Sequence, residues 1–150
     1  MYSRDEMKSL KTDFWEGFAL YCEVQPYLYA HKKWLLYDTK IKGVELKFDV
    51  FRYGASVMIE VNHKSEEQRL AMYEKLTWYK ESIEKEFEEP LEWSISCLRD
   101  SGQQVSRVIL SREGLDFHKR TSWGDYYAFM AQNMFRLETN FLAIVEFIRE

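Results

Sequence analysis

The feature that most constrains the fold is a long apolar repeat at the C-terminal end of the chain. Apolar residues return at alternating four- and three-residue steps, the spacing of one helix face. They are Met130, Met134, Leu137, Phe141, Ile144 and Ile148. A capping signal at Thr121–Asp125 precedes them. We predict a helix of roughly 40 Å, from ~1.5 Å of rise per residue.

Two further helices are predicted upstream, each opened by a capping box. The first box, Ser3–Glu6, precedes apolar residues at helical spacing as far as Tyr21, and Pro26 ends that helix. The second box, Ser65–Gln68, opens a single amphipathic helix that runs to Phe87.

Between these helices the apolar residues repeat with a period of two, which is typical of β-strands. A short apolar run at Trp34–Tyr37 and alternating runs at Val44–Val50 and Val57–Val61 predict three strands. Leu91–Cys97 and Val105–Leu110 predict two more, joined by a short turn.

The first hairpin has a predictable register because one of its faces is apolar. With its turn centred on Tyr53–Gly54, Phe48 faces Ile59 on the core side and Lys47 faces Glu60 on the other side. Both apolar sets then lie on the same face of the hairpin.

Together these elements predict one α+β domain over residues 1–150. We expect a mostly antiparallel five-stranded sheet packed by three helices, in the order αβββαββα. A hydrophobic fraction of 46% with six Gly and two Pro excludes disordered and collagen-like chains. Ten Phe, ten Tyr and five Trp predict a core rich in rings.

Charge and cysteine content limit the partners and the cellular compartment that we expect for the chain. A net charge of −4 provides no overall basic field for nucleic acid or anionic membrane. Two cysteines, Cys22 and Cys97, fit a reducing compartment rather than a disulfide framework. The charged start of the chain lacks the apolar run of a signal peptide, and no segment is long enough to span a bilayer. A cytoplasmic protein is expected.

One constellation of residues has the types needed for metal chemistry. Asp49 lies on one strand of the first hairpin, and Glu60 and Lys64 lie on or after the next. PD-(D/E)xK nucleases hold Mg²⁺ with acids on neighbouring strands and place a lysine near the attacking water. The alternative interpretation is an ordinary Lys47–Glu60 ion pair on a solvated face. No other metal site and no cofactor is expected, because the histidines and cysteines lack ligand spacing.

Two other groups of residues are candidates for binding partners. Basic residues with interleaved rings are typical of single-strand nucleic-acid surfaces, and the candidates here are Arg99, Arg107, Arg112, Lys119 and Arg120. Acidic residues among them favour a solvated hairpin instead. The C-terminal helix overhangs the predicted sheet, so Met130, Met134, Phe141 and Ile148 could contact a second copy of the chain or pack wholly on their own domain.

Several segments together resemble one bacterial family. They are Phe14–Trp15, Ile59–Lys64, Ile83–Trp93 and Arg107–Val108, and the most specific is the Phe-x-x-Pro-Leu-x-Trp junction from Phe87 to Trp93. The chain resembles the family named domain of unknown function forty-two sixty-eight over nearly its whole length. The resemblance implies a stand-alone domain or the C-terminal part of a longer bacterial protein, in some cases near restriction or defence functions. It carries over no catalytic residue.

Two function classes follow from the sequence. The first is a non-enzymatic protein-interaction module whose partner is another protein or a second copy of itself. The alternative is a degenerate PD-(D/E)xK nuclease-like or nucleic-acid-binding domain that uses Asp49, Glu60 and Lys64, with Mg²⁺ as its cofactor. A ring-lined small-molecule site is compatible with the aromatic content, but no residue set identifies it.

Overall fold

The structure, a computed structural model, describes residues 2–28 and 39–149. In chain order its elements are α1 (Arg4–Glu23), β1 (Val44–Phe51), β2 (Gly54–Val61), α2 (Glu66–Trp78), α3 (Lys80–Ile83), β3 (Glu92–Leu98), β4 (Gln104–Glu113) and α4 (Trp123–Ile148). Short 3₁₀ helices occupy Pro26–Leu28 and Arg120–Ser122. The strands form one antiparallel sheet in the order β1-β2-β4-β3.

The α+β class and the antiparallel sheet are confirmed, whereas the element counts are corrected. The described part of the chain has four strands rather than five, and four helices rather than three. The predicted strand at Trp34–Tyr37 lies outside the described residues. The extra helix arises because the predicted helix after Ser65 is divided into α2 and α3.

Contacts with α4 lie at both ends of α3. The Tyr79 ring, at the junction of α2 and α3, stacks on Phe147 with the ring centroids 5.8 Å apart. The Asn140 side-chain amide donates to the carbonyls of Ile83 and Lys85, both at 2.8 Å. A buried amide on α4 therefore satisfies carbonyls at the end of α3, a long-range contact that helical periodicity does not report.

The register of the first hairpin differs from the prediction by two residues. Phe48 pairs with Val57 rather than Ile59, and the turn is formed by Arg52 and Tyr53. Tertiary hydrogen bonds hold the turn there, because the Arg52 and Tyr53 carbonyls accept from the backbone N–H groups of Phe117 and Leu115. A shift of two keeps every side chain on its predicted face.

Apolar side chains on one face of the sheet form the core with the helices. All four helices bury residues in this cluster, and so do Val44, Leu46, Val57 and Ile59 of β1 and β2. Phe14 of α1 lies near its centre and contacts five other rings at centroid distances of 5.0–5.5 Å. The opposite side of the sheet, which we call the open face, therefore has no packed helix in the described part of the chain.

The C-terminal helix is present as predicted, but its apolar stripe is core. Met130, Met134, Phe141 and Ile148 are each at most 1% exposed in this single chain, because α4 packs along the sheet and against α1 and α3. They are not available at the surface for a second copy. The expected capping signal is also corrected: the Ser122 side chain makes no cap bond, whereas the Ser3–Glu6 capping box of α1 is complete.

Candidate functional site on the open sheet face

A buried carboxylate organises the open face. Glu60 lies on the central strand β2 and points away from the helices, yet its exposed fraction is 0%. Arg107 on β4 is its direct cross-strand neighbour. Lys47 on β1 is a diagonal neighbour, because Glu45 is the residue opposite Glu60. Alternation along three adjacent strands thus brings these charges together.

A turn of the second hairpin adds another arginine to this group. Arg99 follows β3, and its turn is closed by bonds from Arg99 N to Gln103 O at 2.9 Å and from Gly102 N to Arg99 O at 2.8 Å. Gly102 has φ 92°, a conformation that favours glycine. The Gln103 side chain ties the turn to β2 by donating to Asn62 O at 3.1 Å.

Both oxygens of Glu60 are occupied by hydrogen bonds. Arg107 donates to Oε2 from Nε at 3.0 Å and from Nη2 at 2.9 Å. Oε1 accepts from Arg99 Nε at 3.0 Å, from Arg99 Nη2, and from Asn62 Nδ2 at 3.0 Å. Lys47 Nζ lies 3.4 Å from Oε1. We call Glu60, Lys47, Asn62, Arg99 and Arg107 the Glu60 cluster.

The cluster keeps Glu60 ionised. Burial acts to raise the pKa of its carboxyl, but the hydrogen bonds from Arg99, Asn62 and Arg107, with the charge of Lys47, lower that pKa to about 2. Such a group neither donates nor accepts a proton readily near neutral pH. The geometry therefore resembles a fixed charge cluster more than a general acid or base.

A groove of about 380 Å³ lies beside the cluster on the open face. It runs between strand residues such as Lys47, Asp49 and Met58 and the second hairpin, which contributes Leu98 and Arg99. Leu98 is 65% exposed at its rim. The groove thus combines fixed charges with an exposed apolar side chain, a composition suited to recognition of another surface.

The three residues of the predicted metal site are not brought together. Asp49 pairs with Ser56, so it lies four positions, or about 13 Å at ~3.3 Å per residue, along the strands from Glu60. Lys64 lies beyond the end of β2 and is exposed. The oxygens of Glu60 are also engaged by cations, so this arrangement does not fit a shared Mg²⁺ ion. Within residues 2–28 and 39–149 no group of three His, Cys, Asp or Glu side chains could hold a metal.

The five basic candidates do not form one surface. Arg99 and Arg107 belong to the Glu60 cluster. Arg112 is five positions from Arg107 on β4 and so points to the other face of the sheet. Arg120 pairs with Asp13 at 2.7 Å and lies 4.7 Å above the Trp123 ring, and Lys119 is exposed beside it.

Sequence reasoning missed most of the cluster. It paired Lys47 with Glu60, but as an exposed pair, and it did not connect Asn62 or Arg99 to them. The available signal was an acidic residue within the apolar run of a central strand, because a buried carboxylate requires partners. Burial raises the pKa of the Cys22 thiol to about 11, which disfavours its reactive thiolate form, and the Cys97 thiol donates to Val105 O at 3.6 Å.

None of the described helices is long and apolar enough to cross a membrane. Comparison with curated proteins and with solved structures finds no match to this chain. A family profile described as Domain of unknown function (DUF4268) matches residues 10–145, a range that includes all four strands, the whole of α2 and α3, and most of α1 and α4. The chain is therefore a member of the DUF4268 family.

Proposed function

We propose that this chain is a non-enzymatic protein-interaction module that binds its partner through the open face of the sheet. The observation that supports this most directly is the Glu60 cluster, in which charged side chains are held in place beside an exposed groove. Side chains fixed before binding lose little conformational entropy on association, which favours recognition.

The charges of the groove favour a protein partner over nucleic acid. The cations Lys47, Arg99 and Arg107 are offset by the acids Glu45, Asp49, Glu60 and Asp100 around the same groove. Phosphate backbones require a net basic surface. A protein surface with both signs of charge and an apolar contact for Leu98 matches this composition better.

The nuclease-like alternative has less support. It needs a carboxylate free to coordinate Mg²⁺, whereas Glu60 is saturated and Asp49 is too far along the strand to join it. Two observations still favour it. They are the arginines on the surface and the family resemblance, which in some cases implies restriction or defence functions.

The test uses one surface variant with a matched control. Leu98→Glu places a charge at the groove, while Leu20→Glu makes the same change on α1 at a residue of nearly equal exposure, 64% against 65%. The wild-type chain and the two variants are each used to capture partners from a nuclease-treated lysate by crosslinking. Each captured partner is then purified and titrated directly against all three. We expect a purified partner whose affinity falls at least tenfold for Leu98→Glu and is unchanged for Leu20→Glu.

Two results would contradict the proposal. One is a partner whose affinity is equal for both variants, since the open face would then be uninvolved. The other is binding of labelled duplex or single-stranded DNA or RNA at low salt, or cleavage of these strands in the presence of Mn²⁺, lost in Glu60→Gln.

A further inference from the structure

A second groove, separate from the open face, lies between α1 and the outer edge of the sheet. Its volume is about 410 Å³, which is within the range of ligand pockets. Trp15 of α1 and Phe117 provide aromatic walls, and residues 48–52, which are the last four residues of β1 and the first residue of the turn, line it without interruption. Among the described strands, β1 lies at one edge of the sheet.

The uninterrupted lining indicates how the groove runs. Successive side chains of a strand point to opposite faces, so a pocket on one face is lined by alternate residues. A groove lined by four consecutive residues of a strand must follow the edge of that strand. At ~3.4 Å per residue the strand part of this edge is about 10 Å long, which matches three or four residues of an extended chain.

The backbone of Val50 faces this groove. Asn62 N donates to Gly43 O at 2.8 Å, which makes Gly43 and Asn62 a hydrogen-bonded pair of the β1–β2 ladder. Since such pairs alternate in antiparallel strands, Asp49–Ser56 and Phe51–Gly54 are bonded pairs as well. The N–H and C=O of Val50 therefore point outward, and neither has a hydrogen-bond partner in the described residues.

The next outward-pointing carbonyl after that of Val50 belongs to Arg52, and it already accepts a hydrogen bond. Arg52 O accepts from Phe117 N at 2.7 Å, so an incoming backbone can continue a pairing that the chain itself begins. An edge strand that presents the free N–H and C=O of one residue, here Val50, beside a groove is the arrangement that peptides occupy in β-strand addition, with backbone bonds for affinity and alternate side chains for specificity.

The charged side chains around the groove indicate which kind of peptide it could bind. Lys11 is exposed at the groove and makes no ion pair within the described part of the chain. Arg52, which pairs with Asp116 at 3.1 Å, and His118 also line the groove, and Asp49 is the one acid among the described residues of the lining. Lys11 lies one helical turn from Trp15, so an acidic and an apolar side chain two positions apart on a strand could reach both.

We propose that the groove between α1 and β1 binds an extended acidic and apolar peptide of a partner protein as an added strand. Its backbone pairs with Val50, its apolar side chain packs on Trp15, and its carboxylate pairs with Lys11. This proposal does not depend on binding at the open face, because the two grooves adjoin only around Phe48 and Asp49.

The experiment is a titration of the isotopically labelled chain with capped threonine heptapeptides, followed by NMR. One peptide carries Phe and Glu two positions apart, and its matched control carries Phe and Lys. We expect amide shifts at Val50, Lys11 and Trp15 with the Glu peptide and an affinity at least tenfold weaker for the Lys peptide. In Lys11→Glu the preference between the two peptides should reverse.

A backbone variant separates strand addition from side-chain binding. Val50→Pro removes the outward N–H while keeping the ladder bonds to β2, because proline is tolerated on edge strands. We expect at least a tenfold loss of affinity in this variant and no change in Leu20→Glu. If Val50→Pro does not fold, the reversed preference between the two peptides in Lys11→Glu is the result that tests the proposal.

Three results would overturn the proposal. They are the absence of shifts at millimolar peptide, shifts centred on Leu98 instead of Val50, and equal binding of N-acetyl-phenylalanine, which has no second residue to pair with the strand. Loss of binding in Leu98→Glu would instead assign the peptide to the open face and leave this groove without a role.

Discussion

Arg107 stands directly opposite Glu60 across the β2–β4 pair and donates two hydrogen bonds to the same oxygen of its carboxylate. Arg99 and Lys47 contact the other oxygen, so three cations surround one buried acid. Removing the acid would leave those cations close together without compensation. Each part of the candidate site therefore depends on Glu60, which makes its charge the first property to test.

Glu60→Gln is expected to destabilise the fold by about 3 kcal/mol, because breaking a buried ion pair leaves its partners uncompensated. Urea unfolding followed by circular dichroism measures the change. Asp49→Asn is the matched control, since Asp49 lies on the same face but is exposed, and its effect should stay within about 0.5 kcal/mol. If Glu60→Gln changes the free energy of unfolding as little as Asp49→Asn does, the cluster contributes nothing measurable to stability.

Acid should reduce the advantage of wild type over Glu60→Gln. The pKa of Glu60 is lowered to about 2 in the folded chain, so the unfolded state binds a proton at a higher pH than the folded state does. The stabilisation from Glu60 is complete above the unfolded pKa, near 4.5, and is lost as the pH falls towards 2. Free energies of unfolding at a series of pH values measure this, and a gap that stays constant or widens with acid would contradict it.

Met134→Ala is expected to cost about 3 kcal/mol, because the side chain is 1% exposed and its removal leaves a cavity. The mass of the protein by light scattering should be the same in the variant as in wild type. Leu142→Ala, at an exposed position on the same helix, should have little effect. A wild-type dimer that Met134→Ala dissociates would restore this stripe as an interface.

Glu84→Gln is expected to destabilise the fold by about 1–2 kcal/mol through weaker hydrogen bonds. One oxygen of Glu84 accepts from Leu91 N at 2.9 Å and from Trp93 Nε1 at 3.0 Å. The second bond uses the indole N–H and so gives Trp93 a role in the junction, whereas the first uses a backbone N–H and does not select leucine at position 91. The Trp93 indole N–H resonance should shift in the variant, whereas Glu88→Gln, at an exposed neighbour, should leave it unchanged.

Much of the secondary structure could be predicted because its signals are local. Residues alternate along β1 and β2 and repeat every three or four positions along α4, and both patterns arise from burial of one face. The Ser3–Glu6 box could be identified because its two hydrogen bonds join neighbours in sequence. The contacts at the two ends of α3 could not be identified in this way, since Asn140 and Phe147 lie more than fifty residues from the residues they contact.

In the candidate site, too, some features could be predicted from local patterns and others depend on long-range contacts. The sequence by itself determined that Asp49 and Glu60 share one face of the sheet, because the apolar residues of both strands must face the same core, which leaves the alternate residues on the other face. Only the tertiary structure decided how far apart they lie. A shift of two residues in register separates them by four positions instead of two, and that register depends on bonds from Leu115 and Phe117 to the turn. Arg99 reaches Glu60 across 39 residues of sequence because the second hairpin turns towards β2, and no local pattern encodes that approach.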